Sequence, residues 1–567
     1  MKKLHMFLLI ALFLVLSCAA PKMVILLQEP VLSKKYFQET YAKYDEEGNK
    51  TIDSLLCSII ELKPHNYYPG IEYKIDWIKL HPSENVFLVQ ISGSDSWRKT
   101  NEISCVQLDN FQERWHLTLH EKGNISVEDV IFIDSTSVIL VNNQNEMISL
   151  NLNTGNELWR IEAPKTINIH YFAETNRLLV RNFSGSYQLL HAATGDTVWS
   201  SYLGTDYPGE PVLRKDELFI MSGGLHKYDF NDGQLWSIDF DTHYKIDHTV
   251  TDVAADVVVS LLFGRATSSG STPPDFYYTC FSLPQIIRDT IYVASQGQIY
   301  AIDNETSEIY WQTEKTEDID IIHEIKIHDG VLYGKCGGYT LFLNGKGHVY
   351  SYKTRGSQGI IAFRNNKKLW FFNSLNKDKG EASIIQDFFV RDDTIIIISE
   401  YEIVVLNKEN GNISIRLAAE DLRIGNISSC METEQGFIIK GSQGISLLDK
   451  NSLNPLWSRY VPSMKPEFCF LPSEKVNVTF WKSHELVDLY NKTFYNDYFE
   501  YDSLKNLIFL LSESEGLIGL NALDGSVKLT IPMKSSEFYV DFNRKKIFKI
   551  NNYSLSILDL TTIYNEL

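Results

Sequence analysis

An all-β fold, a β-propeller of four-stranded blades, is what this sequence predicts, and three observations predict it. A short phrase recurs along the chain: an aliphatic residue, then Asp or Asn, then Gly four residues on, then Trp four after that. Runs of β-prone residues precede each copy, separated by polar or Gly-containing turns, as in Thr290–Ala294 and Thr394–Ile398. The Trp position also returns at intervals that suit one blade: 115, 159, 199, 236, 311, 370, 415, 457 and 529. Repeats of this period signal a radial or stacked architecture, and short strands with turn signals between them read as all-β.

Each copy of the phrase is a hairpin. The fullest copies are Leu150-Asn151 with Gly155 and Trp159, and Ile302-Asp303 with Ser307 and Trp311. Leu448-Asp449 with Leu453 and Trp457 keeps the spacing although Leu stands in the Gly place, and Asp229, Gly233 and Trp236 form a compressed copy. His191, Gly195 and Trp199 keep part of it, while Ile415 and Leu529 stand where Trp would. An Asp or Asn side chain at the turn start accepts hydrogen bonds from the backbone two residues on, and Gly adopts the positive φ that such turns need. Trp on the outgoing strand brings a large flat apolar face and an indole N–H in search of an acceptor.

The segment TIYVASQGQIYAIDNETSEIYWQ, Thr290 to Gln312, resembles the repeat of the quinoprotein-type (PQQ-like) propellers. That resemblance implies that the Trp docks between blades, and traces of it run from about Val86 to the end. A WD-repeat propeller is disfavoured, since none of these Trp residues is followed by Asp. About eight blades with insertions, or alternatively two propellers, are expected, because propellers usually close with four to eight. The interval from Trp236 to Trp311 holds an insertion at about 241–282, a degenerate blade is expected near Val476–Tyr490, and Lys545–Leu560 offers two further strands.

The N-terminus reads as a sorting signal. Lys2 and Lys3 precede an apolar run from Met6 to Leu16, shorter than the roughly 20 residues of a spanning helix. Val15-Leu16-Ser17-Cys18 resembles the lipobox of bacterial lipoproteins, which implies a signal peptide over 1–17, lipidation of Cys18 and a periplasm-facing outer-membrane anchor. An ordinary signal peptide cleaved after Ala20 is the alternative. Residues 18–75 are expected as anchor, linker and lead-in, with Tyr36–Asn49 as a short polar helix, and 76–567 as the propeller.

A formal charge of −19 opposes a nucleic-acid partner, since a phosphate backbone calls for a basic stripe. Cys57, Cys105, Cys280, Cys336, Cys430 and Cys469 are even in number, but no CxxC or adjacent pair narrows their connectivity, and buried free thiols fit equally.

Catalytic signatures fail on spacing. His323-Glu324 with His328 has its second His five residues on rather than four, so it does not make a zinc-protease helix, and Ile325, Ile327 and Asp329 alternate as in a strand. Gly345-Lys346-Gly347 lacks the phosphate-loop pattern, and Gly93-Ser94-Asp95-Ser96 is not a nucleophile elbow. The adjacent Cys pair of quinoprotein dehydrogenases is missing from this sequence, and fold alone does not carry function. No catalytic residue, metal ligand or cofactor is therefore expected.

Two stretches depart from the blade grammar. Within 241–282, Val250, Val253, Ala254, Val257 and Leu261 recur at helical spacing, although consecutive valines suit a strand as well. Val253, Val257, Leu261, Phe263, Phe276 and Tyr277 are the candidate interaction residues, since exposed apolar insertions mark partner sites; a cover over a blade edge is the plainer reading. Gly337–Gly359 is the second stretch and is expected at the same end of the ring. The expected function is a lipid-anchored, non-enzymatic scaffold that binds envelope proteins. Glycan or small polar ligand binding at the propeller mouth is the alternative, and a quinone-dependent dehydrogenase is disfavoured.

Overall fold

A computed structural model describes residues 32–561 except 46, 63–71, 82, 95–98, 120–126, 143–145, 164–165, 183–184, 205–210, 241–242, 247–275, 280, 317–318, 320, 338, 344–348, 354–356, 377–380, 462–498, 504, 513, 533–537, 542–543 and 552–553. Among the described residues the chain is a β-propeller whose one helix is α1 (Ala419–Leu422). Eight sheets are separate four-stranded antiparallel blades, units 1 to 8, at 72–119, 127–162, 166–202, 212–239, 285–312, 322–373, 385–418 and 427–460. A nine-stranded sheet contains two more runs of four. Unit 9 spans 499–531, and unit 10 joins Phe538–Asp541, Lys546–Asn551 and Ser554–Asp559 to β2 (Lys50–Leu62) from the other end of the chain. About eight blades are expected from the sequence, and the described residues form ten such units, the strands read from Lys545–Leu560 belonging to the tenth. Val476–Tyr490 lies outside the described residues.

The expectation of a helix at Tyr36–Asn49 is corrected. β1 (Leu32–Tyr44) pairs with β2 along all 13 residues, and its end also pairs with unit 9 at Ala42–Thr530 and Lys43–Leu529. A polar segment without an apolar stripe has nothing to bury as a helix, whereas as a strand it gains a full ladder from its neighbour. β1 and β2 therefore join the last two units within one sheet.

Packing runs from unit to unit. Val86, Leu88 and Trp115 of unit 1 meet Val138, Leu140 and Ile148 of unit 2, and similar clusters join each later pair as far as units 8 and 9. Phe548, Leu555 and Ile557 of unit 10 pack on Phe87 and Val89 of unit 1. Beside them Arg544 Nη2 donates to the carbonyls of His81 and Glu84 at 2.6 and 2.8 Å, which closes the circle.

Within a unit the second and third strands are buried on both faces, as in Ser137–Asn142 and Glu146–Asn151, whereas fourth strands such as Glu157–Glu162 are largely exposed. Fourth strands therefore form the outer rim, and the half-buried first strands, such as Ile322–His328, line the centre. Antiparallel order sends every first-to-second and third-to-fourth turn to one end of the propeller, and every second-to-third turn and unit-to-unit connection to the other.

Candidate functional site

The recurring phrase turns out to be a clamp between units. Asn151 Oδ1 accepts from the backbone N–H groups of Asn153 and Thr154, and Asp229, Asp303 and Asp449 do the same in their own hairpins. Gly155, Gly195 and Gly233 stand at φ of 70°, 75° and 99°. Each of these turns receives the Trp of the preceding unit. A Cβ on Gly155 would lie 2.8 Å from Trp115, and one on Gly195 would lie 2.9 Å from Trp159. The indole N–H then donates to the carbonyl just after the turn's first residue: Trp159 to Ala192 at 3.0 Å, Trp236 to Asn304 at 3.1 Å and Trp457 to Ala522 at 2.9 Å. At the compressed turn of unit 4 the contact loosens, and Gly233 would place a Cβ 3.6 Å from Trp199. Trp199 there stacks on Tyr228 at 4.7 Å, and its indole N–H has no acceptor among the described residues. Trp311 packs against Tyr292 of its own unit.

The exceptions obey the same geometry. Unit 7 carries Ile415 in the Trp position, and the facing turn of unit 8 carries Leu453 at φ 57°, buried at 3% exposure in the core shared by those units. Leu453 thus becomes part of the core between units 7 and 8, whereas Ile415 itself stays exposed. The turn carboxylates are accounted for by these bonds. The Tyr310 hydroxyl, followed by the Thr306 N–H, pulls Asp303 down to about 2.

A bulge precedes each Trp position in units 1 to 9 and pushes out the residue before it, which exposes Leu158, Leu235, Tyr310, Leu369 and Leu456. Bulges bend a strand and re-aim its side chains, so these surface apolar residues follow from seating the Trp.

The two ends of the propeller differ. At one end no turn within units 1 to 10 exceeds five residues. At the other, the chain between the fourth and first strands of units 4 and 5 covers 240–284, that between units 8 and 9 covers 461–498, and unit 6 inserts 337–358. The 240–284 connection includes the hairpin His243–Ile246 with Phe276–Thr279, in which Ile246 faces Phe276 and Lys245 faces Tyr277. Unit 6 inserts the hairpin Tyr339–Leu343 with Val349–Lys353. Strand Phe276–Thr279 runs beside Tyr339–Leu343, so the two departures from blade grammar meet. Val253, Val257, Leu261 and Phe263 lie outside the described residues, as do Gly345-Lys346-Gly347 and Asp95-Ser96, while Phe276 and Tyr277 are placed on this hairpin.

Toward the same end, six first strands share a second bulge, between Ile75 and Trp77, Val127 and Asp129, Thr166 and Asn168, Ile322 and Glu324, Ile385 and Asp387, and Ile427 and Ser429. Sequence reasoning missed it, although its signal was present: an aliphatic residue followed by two polar ones, as in Ile322-His323-Glu324 and Ile385-Gln386-Asp387. The bulge sets charged groups beside one another on adjacent units. Lys326 Nζ lies 3.0 Å from Asp387 Oδ1, 3.3 Å from Glu324 and 2.5 Å from the Phe388 carbonyl. Lys335 Nζ lies 3.5 Å from Glu324. His328 sits at the far end of that strand, where its Nδ1 is 2.9 Å from Asp329 and 3.2 Å from Lys408. His323, Glu324 and His328 are thus strand residues with separate surroundings. Among the described residues no group of three or more His, Cys, Asp or Glu could hold a metal ion.

A further polar group lies in unit 1, where His116 sits between Glu102 at 3.5 Å and Glu113 at 3.3 Å with Ser104 Oγ at 3.1 Å, all buried. With its His and Glu side chains only 1–2% exposed, it has the character of a buried brace between the third and fourth strands. Cys105, Cys336 and Cys430 are free thiols, and burial pushes Cys105 up to about 12 and raises Cys336. The side chains of Cys57, Cys280 and Cys469 lie outside the described residues.

Residues 92–273 match a family described as outer membrane protein assembly factor BamB, about a third of the chain. No curated protein matches the chain by sequence. Among solved structures, BamB from Moraxella catarrhalis is 13% identical with a TM-score of 0.24, over 56% of this chain and 97% of that one. A eukaryotic initiation factor is 10% identical with a TM-score of 0.38, over 83% and 97%, and the dihydro-heme d1 dehydrogenase NirN in complex with DHE is 11% identical with a TM-score of 0.32, over 71% and 78%. Likenesses this low do not distinguish an assembly factor from an initiation factor or a dehydrogenase. What the comparisons give this chain is the PQQ-like repeat, which agrees with the propeller built by its own sheets.

Proposed function

We propose that this chain is a non-enzymatic, lipid-anchored scaffold of the cell envelope that docks a partner protein on its insertion-bearing end. One observation carries the reading: every long connection leaves from the same end, while the opposite end is pared to turns of at most five residues. Loops on a rigid frame are where binding concentrates. The match of residues 92–273 to an envelope assembly factor supports the compartment, and the lipobox at Cys18 supplies the anchor.

The test is to crosslink the full lipoprotein briefly in its own envelope beside a variant lacking Thr249 to Asp275. One stoichiometric partner that disappears with the deletion supports the scaffold. Equal recovery with both proteins, or none with either, counts against it. The charged inner-strand layer around Lys326, Glu324 and Asp387 favours a second reading, a small polar ligand such as a glycan held at the mouth. In that case a glycan panel would bind the intact protein, and Asp387→Asn would weaken it.

A further inference from the structure

Among units 1 to 9 two lack the rim Trp, and they share more than that loss. The fourth strand of unit 9 reads Val527-Lys528-Leu529-Thr530-Ile531 and that of unit 7 reads Ile413-Ser414-Ile415-Arg416-Leu417, so both alternate aliphatic and polar residues through the Trp position. The bulge falls at the same place in each, opposite Gly519 and Leu520 in one and Val405 and Leu406 in the other, and pushes out Lys528 and Ser414. Unit 9 carries an added strand on this edge: β1 pairs antiparallel with it at Ala42–Thr530 and Lys43–Leu529, and Leu529 is 1% exposed. On unit 7 the same edge pairs with nothing among the described residues, and Ile413 and Ile415 are 46% and 41% exposed.

An open edge with apolar side chains on both faces is a template for one more strand. Ile413 pairs with Leu406, which packs toward unit 6, and Ile415 pairs with Val405, which packs toward unit 8, so an incoming strand covers one aliphatic residue on each face. The charge beside this edge is opposite in sign to that of the whole chain, which carries −19. Along the fourth strands of units 6 and 7 and the turns that lead into them, Arg364, Lys367, Lys368 and Arg416 are exposed, against Glu409 alone among the described acidic residues. Arg416 Nε bonds Glu402 at 3.0 Å while its side chain stays 49% exposed. Trp370 of unit 6 seats on Gly411, which brings the basic turn of unit 6 beside the start of the unit 7 edge.

We infer that the rim of unit 7 binds an acidic, extended segment of another protein, which adds antiparallel to Ile413–Ala418 as β1 adds to unit 9. A second copy of this chain is a poor occupant. An edge about 20 Å long falls short of the roughly 1,200–2,000 Å² that stable interfaces bury, and two chains of formal charge −19 repel each other. The site lies on the outer rim, apart from the insertion-bearing end, and needs neither the lipid anchor nor the insertions.

The experiment uses the full-length protein in detergent micelles and a fluorescein-labelled peptide with Val and Tyr at its centre and Glu at both ends. Anisotropy reads the affinity, and hydrogen exchange with and without the peptide locates the site. Slower exchange confined to the amides of Ile413–Ala418 is expected, with affinity falling about tenfold in Ile415→Lys through the loss of one covered aliphatic side chain. Lys367→Glu combined with Lys368→Glu should weaken binding at low salt and less so at high salt. Ile309→Lys, at a similarly exposed rim position of unit 5 that keeps its Trp311, should leave the affinity unchanged. No binding at millimolar peptide, equal affinity for Ile415→Lys, or an equal loss in Ile309→Lys overturns the site. A peptide N-methylated at every central residue should not bind, and undiminished binding of it refutes strand addition. A peptide with Lys in place of Glu that binds as tightly refutes the acidic partner.

Discussion

Gly411→Ala tests the clamp most directly, because the chain contains its own control. Gly411 lies in the turn of unit 7 at φ +69°, and an added Cβ would meet Trp370 of unit 6 at 2.7, 2.8 and 2.9 Å. Gly330, in a turn of unit 6, has nearly the same φ of +72° but no atom within 4 Å of its Cβ position. Placing Ala in the left-handed region costs about 1–2 kcal/mol at either site. Only Gly411 adds about 1–3 kcal/mol of overpacking against the indole. Moving that ring also endangers the bond from Trp370 Nε1 to the Lys408 carbonyl, 3.1 Å long and worth about 1 kcal/mol. The expected excess over Gly330→Ala is therefore about 2–4 kcal/mol. A ring of many units does not promise a single two-state transition, so native-state hydrogen exchange is the suitable assay. Amides at Asn407, Gly411 and Trp370 should exchange roughly 30- to 700-fold faster in Gly411→Ala than in Gly330→Ala, at about 1.4 kcal/mol per decade. Equal acceleration by both substitutions would refute the clamp and leave backbone strain as the whole effect.

Three other outcomes follow from the same geometry. Leu453→Gly relieves about 1 kcal/mol of left-handed strain but empties a buried site worth about 2–5 kcal/mol, so it should destabilise the boundary of units 7 and 8 by about 1–4 kcal/mol; exchange there that slows instead would show that the turn prefers Gly whatever it faces. Asp303, held near 2 in the folded chain against about 3.9 when unfolded, contributes stability above pH 4 that fades as the pH falls toward 2. The gap in thermal midpoint between wild type and Asp303→Asn should accordingly be constant above pH 4 and narrow below it, and a gap that widens on acidification would reverse the assignment. Cys105 and Cys336, both buried with raised thiols, should resist maleimide at pH 8 until the chain is unfolded, and peptide mass spectrometry showing native labelling at either site would contradict their burial.

What could be read from sequence was local. Asn151, Gly155 and Trp159 sit within one hairpin, so nine residues of spacing carry the turn chemistry and the strand that follows, and the same holds for Asp303 and Asp449. The spacing does not reveal that Gly155 receives Trp115 rather than Trp159, because that pairing needs the order of blades around a ring. The polar doublets at the first-strand bulges were visible in outline, but His323-Glu324 drew a comparison with a metal motif because nothing in one blade announces that its neighbours share the irregularity. β1 was misread for a related reason. Its partners at Leu529 and Thr530 lie almost the whole chain away, and no periodicity within Leu32–Tyr44 records a strand that borrows its hydrogen bonds from both ends of the sequence.

The substitution of Leu for Gly at 453 shows why the weak copies of the repeat carry information. A turn at φ 57° is unfavourable for Leu whatever its neighbour, by about 1 kcal/mol, so the residue persists there only if burial returns more. Burial is available in the core shared by units 7 and 8, where Leu453 joins a cluster with Ile398, Val405, Leu422 and Phe437. The departure at 453 therefore turns a hairpin position into part of the core across a blade boundary. Such a residue distinguishes one blade boundary from the others, which the perfect copies of the turn do not, because identical turns and identical Trp residues would fit one another at any boundary.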